Sequence, residues 1–261
     1  MTSTASATAH RPPSDFLALT EAPRALLEFA SFLALRPALS FLPRGDGHPV
    51  LVLPGFMASD TSTAPLRNLL IDLGYDAVGW DLGRNVQITT ARVKAMGDAL
   101  NALSKRNGRK VSIVGWSLGG LLARELAKLH PEAVRQVISL GSPLTGDRGI
   151  SKVSRIFEAL NGTVPEIQRH GKFTDLETPP PVPSTSVFTK GDGIVHWRGS
   201  IQPEGPEREN VEVMASHIGL GVNPTVMWLI ANRLAQTEGE WAPFKAKGCA
   251  SWAFPSKRAL H

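Results

Sequence analysis

The chain has 261 residues, of which 42% are hydrophobic and 20% are charged, and its formal net charge is +5 at pH 7. These values are typical of a globular domain and exclude a disordered, a collagen-like or a disulfide-scaffold protein. The single cysteine, Cys249, cannot form an internal disulfide and has no ligand partner at metal-site spacing. Neither aromatic–basic interleaving nor a helix-turn-helix or zinc pattern occurs, so no nucleic-acid partner is expected.

Residues 1–45 predict an N-terminal arm followed by an amphipathic helix. No apolar core of signal-peptide length follows Arg11, and the apolar stretch Leu27–Leu42 is shorter than the roughly 20 residues of a spanning helix. These features predict a soluble, cytoplasmic protein. The helix starts near Pro23, and its apolar stripe is expected to pack on the domain, with a lipid-surface helix as the alternative. The stripe comprises Leu26, Leu27, Phe29, Ala30 and Leu33.

Residues 46–235 alternate between apolar strands and amphipathic helices. The predicted strands are Val50–Leu53, Tyr75–Trp80, Val111–Val114, Val134–Leu140, 184–189 and Asn210–Met214. The predicted helices run from Thr63 to Leu73, from about Val93 to Gly108, from Leu118 to Leu129 and from Asn223 to Leu234. This alternation indicates a mostly parallel sheet covered on both faces, with a site at the carboxyl ends of its strands.

Two segments depart from the alternation. Residues 144–182 carry mixed helical signals and form a short cap-like insertion, which either covers the site or is an ordinary surface excursion. Residues 236–261 form a basic, aromatic tail that includes Trp241, Phe244, Trp252 and Phe254. Docking of this tail on the domain is favoured, and contact with a lipid surface is the alternative.

The sharpest motif is Gly115-Trp116-Ser117-Leu118-Gly119, which lies between a β-branched strand and an amphipathic helix. A Gly-x-Ser-x-Gly sequence in this context is typical of a nucleophile elbow, a turn so tight that side chains two residues from the serine would collide. The following helix directs its free amides toward negative charge. Ser117 is therefore the predicted nucleophile.

Asp192 and His217 are the predicted acid and base. Asp192 follows the strand at 184–189 in an Asp-Gly pair, and His217 lies between the last strand and the last helix. An Asp-Gly turn is common by itself. Its position after that strand, ahead of a suitable histidine, favours a functional role. Asp147 is the alternative acid, and His196 would be its histidine.

Together these motifs resemble the α/β-hydrolase superfamily, and most closely its small bacterial lipase- and esterase-like members, from roughly His48 to Leu234. The resemblance implies a three-layer sandwich and the chain order nucleophile, acid, histidine. It also implies an oxyanion hole formed by the amides of Leu118 and Phe56. Many members carry His-Gly where this chain has Pro54-Gly55, and proline has no N–H to donate.

The predicted function is hydrolysis of a carboxylic ester through an acyl-serine intermediate, without cofactor or metal. A small-molecule, lipid-like acyl ester is the expected partner because Phe56, Met57, Trp116 and Leu118 are apolar, and Met57 and Trp116 are the predicted substrate-binding residues. Peripheral contact with a lipid surface is a further expectation, and the oligomeric state is not predicted. Alternatives are acyl transfer or thioester hydrolysis by the same triad, or a binding protein on a hydrolase scaffold.

Overall fold

The computed structural model describes residues 12–145, 148–246 and 252–255. Its centre is a sheet of six parallel strands in the order β2-β1-β3-β4-β5-β6. Strands β1, β4 and β5 are buried at every position, because helices cover both faces of the sheet. The strands are β1 Pro49–Leu53, β2 Asp76–Gly79, β3 Val111–Trp116, β4 Val134–Leu140, β5 Ser184–Phe188 and β6 Arg208–Glu212.

Helices follow the strands on both sides of the sheet. They are α1 Asp15–Leu19, α2 Glu21–Leu39, α3 Asp60–Asp72, α4 Thr90–Asn107, α5 Leu118–Leu129, α6 Ser154–Asn161, α7 Glu166–Arg169 and α8 Pro224–Leu234. One apolar cluster joins the sheet to α2, α3 and α8, and a second joins it to α4 and α5. The predicted three-layer α/β sandwich is thus confirmed.

Local signals explain several helix ends. The Asn223 side chain accepts hydrogen bonds from the amides of Thr225 and Val226, so α8 begins where it was predicted. Helix α4 ends at Gly108, which has a left-handed backbone with φ 61°. Helix α3 begins at Asp60 rather than Thr63, and the Asp60 carboxylate accepts the amides of Trp80 and Asp81 after β2.

The side of the sheet to which successive strands are added changes between β1 and β3. From β1 the chain crosses to β2 on one side, whereas from β3 it continues to β4, β5 and β6 on the other. Loops leaving β1 and β3 therefore diverge and leave a crevice at the carboxyl edge. The register pairs Leu53 with Gly115, so the loop from Pro54 and the turn at Ser117 lie side by side.

Helix α2 packs in the opposite sense to the prediction. The predicted stripe faces outward: Leu26 is 67% exposed, Leu27 68% and Leu33 55%. The helix instead contacts the domain through Glu21, Ala25, Phe32 and Leu39. The reason is polar, because the carboxylates of Glu21 and Glu28 accept backbone amides of the loops after β5 and β6. The expectation that the apolar stripe packs on the domain is wrong.

The C-terminal tail docks on α8 where it is described. Phe244 is buried, and its ring lies 5.4 Å from that of Trp228 and 4.9 Å from that of Phe254. Its amide donates to Glu209 at 2.6 Å. Docking is thus confirmed for these two phenylalanines, whereas Trp252 is exposed. Cys249 and the terminal residues 256–261 lie outside the described residues.

The insertion is held against the body by hydrogen bonds. Asn161, at the end of α6, accepts the amide of Ile88 at 2.8 Å and donates to the carbonyl of Val86 at 2.9 Å. Glu166, at the start of α7, accepts the amide of Thr90. The insertion therefore lies over the carboxyl side of the sheet. No helix in the described ranges combines the length and hydrophobicity needed to cross a bilayer.

Candidate active site

Ser117 is held on a strained turn between β3 and α5. Its backbone has φ 54° and ψ −121°, unusual for a residue other than glycine. Its amide donates to the carbonyl of Leu140 at 2.8 Å. A Cβ at Gly115 would lie 2.3 Å from the Gly119 carbonyl oxygen, and one at Gly119 would lie 2.4 Å from the Leu53 carbonyl oxygen. The elbow therefore needs both glycines, as the sequence indicated.

Asp192 and His217 form a buried hydrogen-bonded pair. Asp192 Oδ2 lies 2.6 Å from His217 Nδ1, and the two residues are 3% and 4% exposed. The other carboxylate oxygen, Oδ1, accepts the amides of Ile194 at 2.8 Å and Val195 at 2.7 Å. These bonds fix the carboxylate, and the carboxylate fixes the imidazole. His217 Nδ1 therefore carries a proton, and Nε2 is left as the basic nitrogen.

Two residues bring this pair to the elbow. The indole of Trp116, next to Ser117 in the chain, donates from Nε1 to the carbonyl oxygen of His217 at 3.0 Å. Gly141, after β4, has φ 56°, and a Cβ there would lie 3.1 Å from His217 Nδ1 and 3.2 Å from Asp192 Oδ2. The absence of a side chain at Gly141 gives the Asp–His pair its place above the sheet edge.

The pKa of His217 is raised above its ordinary value. Burial alone would lower this pKa, because it disfavours the charged imidazolium. The charge of Asp192, its hydrogen bond and the charge of Glu21 act in the opposite direction and outweigh burial. The site thus favours the protonated form of the histidine, which a general base must adopt during the reaction.

Two backbone amides near Ser117 are free to bind an oxyanion. Within the described chain, the amides of Phe56 and Leu118 donate to no other protein group. Buried Asn85 anchors the loop that carries Phe56. Its side-chain amide donates to the Pro54 carbonyl at 2.8 Å, and its backbone carbonyl accepts the Met57 amide at 2.7 Å. The sequence predicted these two amides as oxyanion donors, which stays a prediction, and it did not indicate the anchoring by Asn85.

A cavity of about 410 Å³ opens beside Ser117. Its lining is predominantly apolar, and many of its residues belong to the insertion. The Phe56 ring, from the loop after β1, meets the Phe157 ring of α6 edge to face at 5.6 Å between centroids. The volume lies in the range of small-molecule sites, roughly 300–1,000 Å³. Lining residues include Phe56, Leu118, Leu121, Ile150, Phe157, Ile167 and Phe173.

The predicted substrate-binding residues are placed differently. Met57 and Trp116 do not line this cavity, so the structure does not support a contact of either residue with a substrate bound there. Met57 points outward and is 48% exposed, because its amide is drawn to Asn85. Trp116 packs on the histidine loop instead. Phe56 and Leu118 line the cavity as expected.

The alternative acid, Asp147, lies outside the described residues. His196 stacks on Trp197 at 5.9 Å between ring centroids, whereas Asp192 pairs with His217. His48 is fully buried at the start of β1, between Asp46 and Ser112, far along the chain from the elbow. Burial lowers the pKa of His48 despite the carboxylate of Asp46, and this histidine serves to tie β1 to β3.

Sequence reasoning missed the contribution of α2. Glu21 and Glu28 accept amides from the loops of both Asp192 and His217. The available signal was the spacing of two glutamates seven residues apart, which places them on one helical face that the apolar stripe does not share.

Comparisons with known proteins identify a thioesterase family by sequence and lipases and esterases by fold. A family model described as palmitoyl protein thioesterase matches residues 58–178, which include Ser117 but neither Asp192 nor His217. A curated relative, "Lysosomal thioesterase PPT2 homolog" of Drosophila melanogaster, is 29% identical over 118 residues. That match covers 43% of this chain and 41% of the relative, so the chain spans about two fifths of the relative's length.

Solved structures of similar fold include Aspergillus fumigatus lipase B, with a TM-score of 0.56 and 16% identity over 73% of this chain and 52% of that one. EstE1, a thermostable carboxylesterase from a metagenomic library, gives a TM-score of 0.55 and 15% identity over 76% of this chain and 82% of that one. Bacillus licheniformis lipase BlEst2 gives 0.52 and 16% over 75% and 94%. The chain is thus a protein of the α/β-hydrolase fold.

Proposed function

We propose that the protein is a serine hydrolase that cleaves acyl esters, with thioesters of apolar acyl chains as the favoured class. The observation that carries this proposal is the buried Asp192–His217 pair, with its 2.6 Å hydrogen bond, whose histidine loop is bonded to the residue before Ser117. The strained Ser117 itself lines an apolar cavity. A binding protein has no need of an orienting carboxylate behind a histidine next to a serine elbow.

The reaction follows from the positions of the groups. His217 Nε2 takes the proton of Ser117 as its Oγ attacks the acyl carbonyl, and Asp192 stabilises the imidazolium. The amides of Phe56 and Leu118 donate to the oxyanion of the tetrahedral intermediate. Collapse of the intermediate breaks the bond to the leaving thiolate or alkoxide, which receives the proton from His217. Water, activated by the same imidazole, then releases the acid from the acyl-serine.

Two observations support an apolar acyl thioester over a polar ester. The cavity is lined by phenylalanine, leucine and isoleucine side chains that suit an alkyl chain. The matching family model describes thioesterases, and the Drosophila relative is named as a thioesterase. Oxygen esters of the same acyl chains are the second candidate, because the triad chemistry is common to both.

We assign the insertion at 144–182 as a cap that forms one wall of the acyl cavity. Phe157 and Ile167 both line it, and Phe157 contacts the loop that carries the oxyanion donor. We likewise propose that the hydrolase domain spans residues 46–235. The segment 1–45 precedes this domain, and the tail follows it. The cytoplasmic location stays a prediction, and the Drosophila relative is named as a lysosomal thioesterase.

The first test is labelling by a fluorophosphonate probe, which reacts with activated serines. Wild-type protein is expected to label, and Ser117→Ala is expected to lose the label. Ser142→Ala is the matched control, because Ser142 is buried close to the elbow and has no role in the proposed chemistry. Absence of labelling in folded wild-type protein would contradict the proposed function.

The second test compares oxygen esters and thioesters that carry the same acyl chain. Matched p-nitrophenyl esters and p-nitrothiophenyl esters of two to sixteen carbons are hydrolysed, and each rate is divided by the rate with hydroxide. A higher normalised kcat/KM for the thioesters, rising with chain length, is expected. The reverse preference would assign the protein to oxygen esters, and an optimum at acetyl would overturn the apolar acyl site.

A further inference from the structure

Glu21, at the first position of α2, holds both loops that carry the acid and the base. The residue is almost completely buried, at 2% exposure. Its Oε1 accepts the amide of Gly193 at 2.7 Å and that of His217 at 3.1 Å, and its Oε2 accepts the amide of Ile218 at 3.0 Å. One carboxylate thus contacts the residue after Asp192 and the histidine itself.

Two further α2 side chains extend this contact. Glu28, two turns later on the same face, accepts the Ser216 amide at 2.7 Å through Oε1 and the side-chain amide of Asn223 at 3.1 Å through Oε2. Arg24, between them, donates to the Gly191 carbonyl at 2.7 Å and to Glu21 Oε1 at 3.1 Å. The helix therefore bonds to residues on both sides of Asp192 and of His217.

A buried carboxylate is costly unless its oxygens accept hydrogen bonds, and bonds to a charged acceptor are about twice as strong as neutral ones. Glu21 meets this requirement with three backbone amides and one guanidinium. The amides belong to two loops that are far apart in sequence. Their common acceptor fixes the distance between the loops, in addition to the direct bond between Asp192 and His217.

We propose that Glu21 is a positioning residue of the candidate active site, which sets the geometry of the Asp192–His217 pair and adds negative charge behind the imidazolium. This inference rests on the proposed function of that site. Glu21 contacts no reacting atom, so its effect is exerted through His217. Among the described residues, the charged groups that act on the histidine are Asp192 from the loop after β5 and Glu21 from α2. Arg24 and Glu28, on the same face of α2, bond to the neighbouring backbone at Gly191 and Ser216.

The test uses two substitutions that separate charge from reach. Glu21→Gln keeps the length of the side chain but removes the charge and replaces one acceptor with a donor. Its kcat/KM is expected to fall by up to about 100-fold, the scale of a displacement of about 1 Å in an active site. Its acid limb is expected to move to lower pH, because the imidazolium loses a stabilising charge. Glu21→Asp keeps the charge and shortens the reach, so it should lose rate with a smaller shift of the limb.

A purely structural role would lower the yield or the Tm without moving the pH profile. Glu132→Gln, on the exposed end of the helix–strand connection before β4, is the matched control and should leave rate and profile unchanged. A folded Glu21→Gln protein with wild-type rate and profile would overturn the inference. Labelling of wild type by the fluorophosphonate probe separates this result from a failure of the proposed function.

A measurement independent of turnover covers the case in which Glu21→Gln folds poorly. The pKa of His217 is measured by NMR in the Ser117→Ala background, with and without Glu21→Asp and Glu28→Gln. The inference expects the NMR signals and the pKa of the His217 ring to change more in Glu21→Asp than in Glu28→Gln. The reason is that Glu28 bonds to Ser216 and not to His217. Equal spectra for both variants would contradict it.

Discussion

The indole Nε1 of Trp116 donates a hydrogen bond of 3.0 Å to the backbone carbonyl of His217, and so joins the nucleophile strand to the histidine loop. Trp116 precedes Ser117, and the two rings, indole and imidazole, lie 6.4 Å apart between centroids. Trp116 stands directly before the serine of Gly-x-Ser-x-Gly, a position that suggested contact with substrate, but its side chain bonds to the histidine loop instead. It ties the backbone that carries His217 to the turn that carries Ser117.

Trp116→Phe removes this hydrogen bond and keeps an aromatic ring. A neutral hydrogen bond contributes about 0.5–1.5 kcal/mol. If this bond stabilises only the transition state, its removal lowers kcat by up to about tenfold. Steady-state kinetics on the favoured acyl substrate measure this. Trp228→Phe, an indole on α8 that packs on the tail, is the control and should leave kcat unchanged. An unchanged kcat in Trp116→Phe would show that the bond is dispensable.

The rate should fall on the acid side at a higher pH than an ordinary histidine would give. His217 acts as a base only when neutral, and its pKa is raised because the Asp192 and Glu21 carboxylates outweigh burial. The kcat/KM profile should therefore reach half its maximum above pH 6.5, the unperturbed histidine value. Asp192→Asn should move this midpoint to lower pH and reduce kcat by about 10⁴-fold. A wild-type midpoint below the unperturbed value would contradict the geometry.

Phe157→Ala should alter acyl-chain selectivity. The Phe56–Phe157 pair closes one side of the cavity, and an aromatic pair of this kind contributes about 0.5–1.5 kcal/mol. The KM for medium chains is expected to rise by up to about tenfold, with the optimum moving to longer or bulkier chains. Ile156→Ala, on the same helix, half exposed and outside the cavity, is the control. Equal changes of KM and of the chain-length optimum in both variants would show that α6 does not form a wall of the cavity.

Adjacent residues of α2 should differ in their effect on stability. Phe32 is 4% exposed and belongs to the core, whereas Leu33 is 55% exposed. Phe32→Ala should reduce the free energy of unfolding by about 3–5 kcal/mol, and Leu33→Ala should change it by no more than about 0.5 kcal/mol. Urea unfolding monitored by circular dichroism provides both values. A large loss from Leu33→Ala would mean that the apolar stripe is packed after all.

Local chemistry made much of the site predictable. The glycines around Ser117 have a steric cause within a few residues, and an apolar strand before an amphipathic helix places the serine at a sheet edge. Asp192 and His217 follow strands whose order in the chain is visible in the hydrophobic pattern. The burial of β4 and the cap of α8 at Asn223 were equally local, and both occur at the expected residues.

What could not be predicted depends on residues distant in sequence. The Glu21 carboxylate accepts amides 172 to 197 positions away, and the spacing of the glutamates in α2 indicates a shared face of the helix but not these partners. Hydrophobic pattern therefore predicted the wrong face of this helix. Asn85 and Gly141 were missed for the same reason, because each acts on a backbone segment from another strand. Met57 was misplaced because the turn at Asn85 aims it away from the cavity.

Helix α2 also changes what counts as the smallest functional unit of this protein. A fragment that begins at residue 46 contains all six strands, Ser117, Asp192 and His217. It lacks the Glu21 carboxylate, which accepts amides of the loops that carry Asp192 and His217. Replacing the N-terminal segment with that of another protein of this fold would therefore change the contacts of the loops that carry Asp192 and His217. Residues 14–39 and the loops after β5 and β6 must therefore be exchanged together, because they form hydrogen bonds with each other.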